Sequence, residues 1–167
     1  LGYSQYSNAA VNSLIQIGQP AIQLLDNSFY RSGQSSLVMT RIVQIIGTVG
    51  GSKAKDFLWN KIDYPDKVIV SQVLLAMGHA GFKAGLAQVS RIKYAIESDV
   101  AAITWNLGAI EEIGNHPGSD VIRKALEREI QNDIEHIYML LAMLYDTRSI
   151  QLVKESIESG TAEGVTY

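Results

Sequence analysis

The chain has no cysteine among its 167 residues. This absence excludes a disulfide framework, a zinc site built from thiolates and a cysteine nucleophile. Long apolar runs are missing as well, because no stretch reaches the roughly 18 residues that a membrane span needs. The longest candidate, from Ile134 to Leu144, is interrupted by Glu135 and His136.

The first residues are not expected to form a signal peptide. The first residue is Leu1 and not methionine, and the stretch from Gly2 to Tyr6 lacks the apolar core of a signal peptide. The sequence also stops abruptly at Tyr167. We therefore expect a fragment of a longer protein, located in the cytoplasm or tethered to the inner membrane through flanking segments.

Familiar catalytic motifs are also lacking. No glycine-rich phosphate loop follows a strand, and the Gly-x-Ser-x-Gly motif is absent. The carboxylates Glu111-Glu112 and Glu127-x-Glu129 resemble acid–base pairs, but Arg123, Lys124 and Arg128 stand at the spacing of ordinary helical ion pairs. The sequence predicts a protein that is not an enzyme and that holds no cofactor.

Apolar residues recur at helical spacing along the whole chain, and no stretch alternates long enough to predict a strand. A hydrophobic content of 47% is sufficient for a core of normal size in a single domain over residues 1–167. The pattern predicts an all-α domain of about ten helices joined by short turns.

Glycine, proline and small polar residues mark the expected helix boundaries. Glycine stops are expected at Gly18, Gly47, Gly78 and Gly114, and turns over Gly47–Gly51 and Gly114–Gly118. Helix starts are predicted at Pro20, Ser35, Ser52, Pro65, Lys83, Ser98 or Asp99, Ser119, Asn132 or Asp133, Thr147 and Thr161.

The glycine stops also define a repeat. The steps Ile17-Gly18, Ile46-Gly47, Met77-Gly78 and Ile113-Gly114 are 29, 31 and 36 residues apart, and a looser copy ends at Asp146. A period of this length is typical of α-solenoids, in which stacked helix pairs share a core. The alternative is a compact helical bundle without repeats.

The repeat resembles the HEAT-like family, especially its short bacterial form, over residues 8–160. The resemblance implies a right-handed superhelix of four to five antiparallel pairs, whose second helices line a concave face. Nine of the fourteen basic residues fall on those second helices, mixed with Asp56, Asp120, Glu127 and Glu129. These nine are Lys53, Lys55, Lys61, Lys83, Arg91, Lys93, Arg123, Lys124 and Arg128.

A weakly basic concave face predicts a scaffold for another protein or for another domain of the same chain. The expected contact residues are Lys53, Lys61, Lys83, Arg91, Arg123 and Arg128. One alternative is nucleic-acid binding, as in the HEAT-like alkylpurine DNA glycosylases, although the net charge of −3 argues against it.

A narrower resemblance gives a second alternative. The stretch from Leu126 to Asp146, followed by Ile150 and Ser159-Gly160, is similar to the HEAT-like regions of bacterial ATP/ADP-translocase-like membrane proteins. That resemblance implies a soluble regulatory or scaffolding region beside a membrane part.

The remaining polar and aromatic candidates are expected to have structural and not functional roles. His79 and His116 are expected to be polar turn residues. Glu129, Asp133 and His136 share a helical face, which predicts a solvated surface and no metal site. Trp59, Trp105, Tyr64 and Tyr94 are candidates for stacking on bases or peptides, but tryptophans at helical spacing are expected in the core.

Overall fold

The computed structural model describes residues 4–114, 116 and 118–160. Those residues form eight α-helices and no strand, which confirms the all-α prediction. The helices are α1 (Ser4–Ile17), α2 (Gln19–Phe29), α3 (Ser36–Val49), α4 (Gly51–Trp59), α5 (Lys67–His79), α6 (Val89–Ile113), α7 (Asp120–Leu144) and α8 (Thr147–Glu158). A short 3-10 turn, Leu86–Gln88, precedes α6.

The chain divides into two compact units, with the boundary between Phe82 and Lys83. In the amino-terminal unit, α3 packs against α1, α2, α4 and α5, and α4 also packs against α2 and α5. In the carboxy-terminal unit, α6 packs along α7, and α7 also contacts α8.

The core of the amino-terminal unit follows the predicted apolar stripes. Phe29 of α2 and Ala54 and Leu58 of α4 are fully enclosed. Helices α3 and α5 contribute eight further enclosed side chains, which are Ile42, Val43, Ile45, Ile46, Ile69, Val73, Leu74 and Met77. Each such side chain stabilises the fold by roughly 1.5–3 kcal/mol relative to its exposed state. These two helices therefore form the centre of the unit's core.

Gly47 brings α3 and α5 together and does not end a helix. It lies inside α3, which continues to Val49, and a Cβ atom at this position would be 2.7 Å from the Cβ atom of Ala76 in α5. The expected stop at Gly47 is therefore wrong, because this glycine is required for close packing. The chain turns instead at Gly50, where φ is +67°.

The expected serine caps at Ser52 and Ser119 are wrong as well. Ser52 is already inside α4, which begins at Gly51 without a side-chain cap. The hydroxyl group of Ser119 donates to the carbonyl oxygen of His116 at 2.7 Å and caps no amide of α7. Gly18 and Gly114 do end their helices, with positive φ angles, as predicted.

Several helix starts shift by one or two residues. The side chain of Ser35 caps α3 as expected, whereas Asp66 caps α5 in place of Pro65, and Asp146 caps α8 in place of Thr147. In each case the side-chain oxygen accepts a hydrogen bond from a backbone amide in the first turn of the helix. Such amides have no hydrogen-bond acceptor within the helix itself. Thr161 lies outside the described residues.

Helices α6 and α7 are each 25 residues long and continuous, so the boundaries expected near Ser98 or Asp99 and near Asn132 or Asp133 are wrong. Between Val89 and Ile113, and between Asp120 and Leu144, the sequence contains no proline. Two polar residues expected as caps, Asp99 and Asp133, lie inside the helices and are buried there. Among the described helices, none is long and apolar enough to cross a membrane.

Gly47→Ala tests the close approach of α3 and α5. We expect it to lower the free energy of unfolding by about 1–3 kcal/mol, because the new methyl group forces the two helices apart. Gly78 is a matched control, since it lies in α5 with nothing within 4 Å of an added Cβ atom. Gly78→Ala should raise stability by about 0.5–1 kcal/mol. Equal changes in urea denaturation curves for both variants would contradict the packing role of Gly47.

Candidate functional site

The six basic residues expected to contact a partner have different environments. Lys53 and Arg128 are exposed, whereas Arg91 and Arg123 are partly buried. Arg123 donates a hydrogen bond to the carbonyl oxygen of Gly114, at the end of α6. Arg91 and Arg123 are thus less accessible than Lys53 and Arg128.

Lys61 is a structural residue of the amino-terminal unit. Its side chain is only 2% exposed, and its Nζ atom lies 3.5 Å from the ring centroid of Phe57 and 4.8 Å from that of Tyr30. The same atom is 3.4 Å from Oδ1 of Asp26. Lys61 is therefore buried and not at the surface, where a contact residue is expected, because aromatic rings and a carboxylate surround its charge.

Lys83 forms hydrogen bonds at the carboxy-terminal end of α7. Its Nζ atom donates to the carbonyl oxygens of Ala142 and Tyr145 at 2.6 and 2.8 Å, and to the hydroxyl of Thr147 at 2.8 Å. A cation is favourable here because the last carbonyl groups of a helix carry negative partial charge. All three ammonium protons are therefore engaged within the unit.

Asp146 completes the same corner. It accepts hydrogen bonds from the amide and hydroxyl groups of Ser149 at 2.8 and 2.9 Å. These two bonds, with a smaller contribution from the charge of Lys83, lower the pKa of Asp146. The corner thus links the connection before α6 to the α7–α8 junction.

Helices α6 and α7 form a hairpin with a buried polar cluster. The amide of Ala84 donates to the carbonyl oxygen of Met143, and Asp99 lies beside Asp133 and His136, so the two helices run in opposite directions. Asp99, Asp133 and His136, the buried polar cluster, are 5%, 2% and 2% exposed. Their ligand-type oxygen and nitrogen atoms all lie within 4.8 Å of one another.

The solvated face predicted for Asp133 and His136 is therefore wrong. Both residues continue the buried stripe of α7, which proceeds to Leu140 and Met143 at helical spacing. Asp99 likewise follows Ile92 and Ala95 on the buried stripe of α6. Extending those stripes by one turn would have identified the cluster from the sequence.

Beyond the buried polar cluster, the side chains of the hairpin are not buried by other parts of the chain that the structure describes. We call residues 100–113 of α6 and 120–132 of α7 the far half of the hairpin, and none of them is buried. Five large apolar side chains there are at least about half exposed, namely Val100, Trp105, Leu107, Val121 and Ile122. The stretch from Val100 to Ile110 also contains no charged residue.

Trp105 is 73% exposed, so the expectation of a core position is wrong for it. Trp59 is partly buried and stacks on Phe82, with ring centroids 5.8 Å apart. Tyr64 packs edge-on against Phe29, whereas Tyr94 is exposed. Of the four aromatic candidates, only Trp105 and Tyr94 are thus available to a partner.

Two of the three histidines are exposed and one is buried. His79 is the exposed last residue of α5, and His116 is exposed in the connection before α7. His136 alone of the three is buried. Both His79 and His116 are exposed as expected, but His79 still belongs to α5 and does not lie in the turn that the sequence predicts.

Lys61→Ala and Lys53→Ala distinguish a structural lysine from a surface one. We expect Lys61→Ala to lower the free energy of unfolding by about 2 kcal/mol or more, because a desolvated cation–aromatic contact and an ion pair are lost. Lys53→Ala should change it by less than about 0.5 kcal/mol. Chemical denaturation followed by circular dichroism measures both, and a harmless Lys61→Ala would refute the interior role.

Comparison with known proteins identifies no relative. No protein-family model matches the sequence, and neither a curated protein nor a solved structure matches it significantly.

Proposed function

We propose that this chain is a non-enzymatic scaffold, and that the far half of the α6–α7 hairpin binds an apolar helix of another protein. The observation that carries the proposal is the exposed apolar surface around Trp105, on two helices that bury no side chain there. Five large apolar side chains exposed on one pair of helices exceed the scattered single residues that monomeric soluble proteins normally leave open to water.

The residue types favour protein recognition. Tryptophan is enriched among the residues that dominate binding energy at protein interfaces, and Trp105 is 73% exposed. Val121 is 79% exposed, and Ile122 is 55% exposed. An amphipathic helix that packs between two helices would bury such side chains, as in helix-in-groove recognition.

The charge of this surface argues against a nucleic-acid partner. A phosphate backbone is held by lysine and arginine, whereas the far half of the hairpin carries five acidic residues against three basic ones. Lys61 and Lys83, two members of the expected basic face, are engaged in interior or intrachain contacts. The proposal therefore moves the binding surface from a basic face to an apolar one.

The proposed fold is a HEAT-like α-solenoid. Its support is the packing order of the amino-terminal unit, in which α1, α3 and α5 contact one another in sequence and α4 contacts α2. Stacked helix pairs have this order, with first helices against first helices and second against second. The α6–α7 hairpin would then be one helix pair of the solenoid, and its uncovered side would be free to pack against another helix.

Site-specific photocrosslinking tests the proposed surface. A photoreactive amino acid in place of Trp105, in the full-length protein in its native cells, should yield an adduct with one protein. The same group in place of Glu97, an exposed residue of α6 outside the far half, is the matched control and should not yield it. Purified partner should then bind the wild type, and Trp105→Ala should weaken binding at least about tenfold.

Three outcomes would contradict the proposal. They are equal adducts at positions 105 and 97, undiminished binding by Trp105→Ala, and a salt-sensitive complex with duplex DNA at low ionic strength. An adduct with a second copy of the chain would replace the foreign helix by self-association and would refute the stated partner.

A further inference from the structure

The geometry points to a divalent metal site in the buried polar cluster, with Asp99 from α6 and Asp133 and His136 from α7 as ligands. Zinc, or a similar transition-metal dication, fits this combination of one imidazole and two carboxylates. This inference concerns the interior of the hairpin and is independent of the proposed partner surface.

The three proposed ligands match a divalent ion in their total charge as well as in their ligand type. Two carboxylates that are 5% and 2% exposed are energetically costly unless a positive charge balances them. A dication with a neutral imidazole would give an uncharged centre.

The distances also suit an ion. The ligand-type atoms lie within 4.8 Å of one another. Zinc bonds of about 2.0–2.1 Å place the ligands of a tetrahedral site roughly 3.3 Å apart. The atoms therefore need to approach by at most roughly 1.5 Å, which small side-chain rotations achieve. Three protein ligands leave one tetrahedral position for a water molecule.

A second observation points to a ligand. The Nδ1 atom of His136 is buried and makes no hydrogen bond, although the residue as a whole does have polar contacts. Buried polar atoms without a hydrogen bond are uncommon in folded proteins. A metal-bound histidine usually binds the ion with one ring nitrogen and makes a hydrogen bond with the other. An ion at Nδ1 would therefore supply the partner that this atom lacks.

The small number of histidines in the chain simplifies the test of this site. The chain has three histidines, and His79 and His116 are exposed and lie outside the cluster. In the double variant His79→Gln/His116→Gln, His136 is therefore the only imidazole left. Any imidazole bound to a metal in this variant belongs to His136.

The experiment treats the double variant with chelator, adds one equivalent of zinc, and measures retained metal after gel filtration. We expect about one ion per chain and an X-ray absorption spectrum with one imidazole and oxygen ligands at about 2.0 Å. Asp99→Asn and His136→Gln, in the same background, should each weaken zinc binding at least about tenfold.

Substoichiometric zinc in the double variant would overturn the site, as would a spectrum without imidazole or unchanged affinity in both ligand variants. The absorption spectrum decides the matter even where a ligand variant fails to fold, because it is recorded on a chain in which the cluster is intact. A site formed by an imidazolium between two carboxylates gives no retained zinc and would also refute the proposal.

Discussion

Three polar side chains buried between two long helices set the register of the carboxy-terminal unit. Asp99, Asp133 and His136 must stay near one another, because each would otherwise be a polar or charged group without compensation in an apolar interior. A slide of α6 along α7 by one turn would separate them by about 5 Å. Buried polar groups of this kind are known to fix the register of paired helices.

The position of the cluster also divides the hairpin. On one side, Ile92, Leu140 and Met143 are buried, and Lys83 holds the end of α7. On the other side, residues 100–113 and 120–132 bury nothing, and Trp105 is open to water. The cluster thus marks the last enclosed layer of the hairpin, and the proposed binding surface begins immediately beyond it.

The sequence predicted the helical class and the main buried stripes of the amino-terminal unit, because a 3.6-residue period follows directly from burial of one helix face. It failed where one residue type has two physical uses. Aspartate caps helices at Asp66 and Asp146, but lies in the interior at Asp99 and Asp133. Only the partner helix, and not the local sequence, distinguishes these uses.

Gly47 and Lys61 illustrate the same limit. A glycine at the end of an apolar helical run has the sequence pattern of a helix stop, yet Gly47 is needed because Ala76 lies against it. A lysine on a second helix has the pattern of a surface contact, yet Lys61 meets Phe57 and Asp26 in the interior. Both roles depend on residues that are distant in the sequence, so no local pattern contains them.

Hydrogen exchange along the α6–α7 hairpin tests the account most directly. Amides of residues 89–99 and 133–144 should exchange slowly, because buried side chains hold both helices there. Amides of residues 100–113 and 120–132 should exchange markedly faster in the isolated protein, because no enclosed layer supports them. Uniform protection along both helices would show that the far half is not an open surface, and would contradict the account.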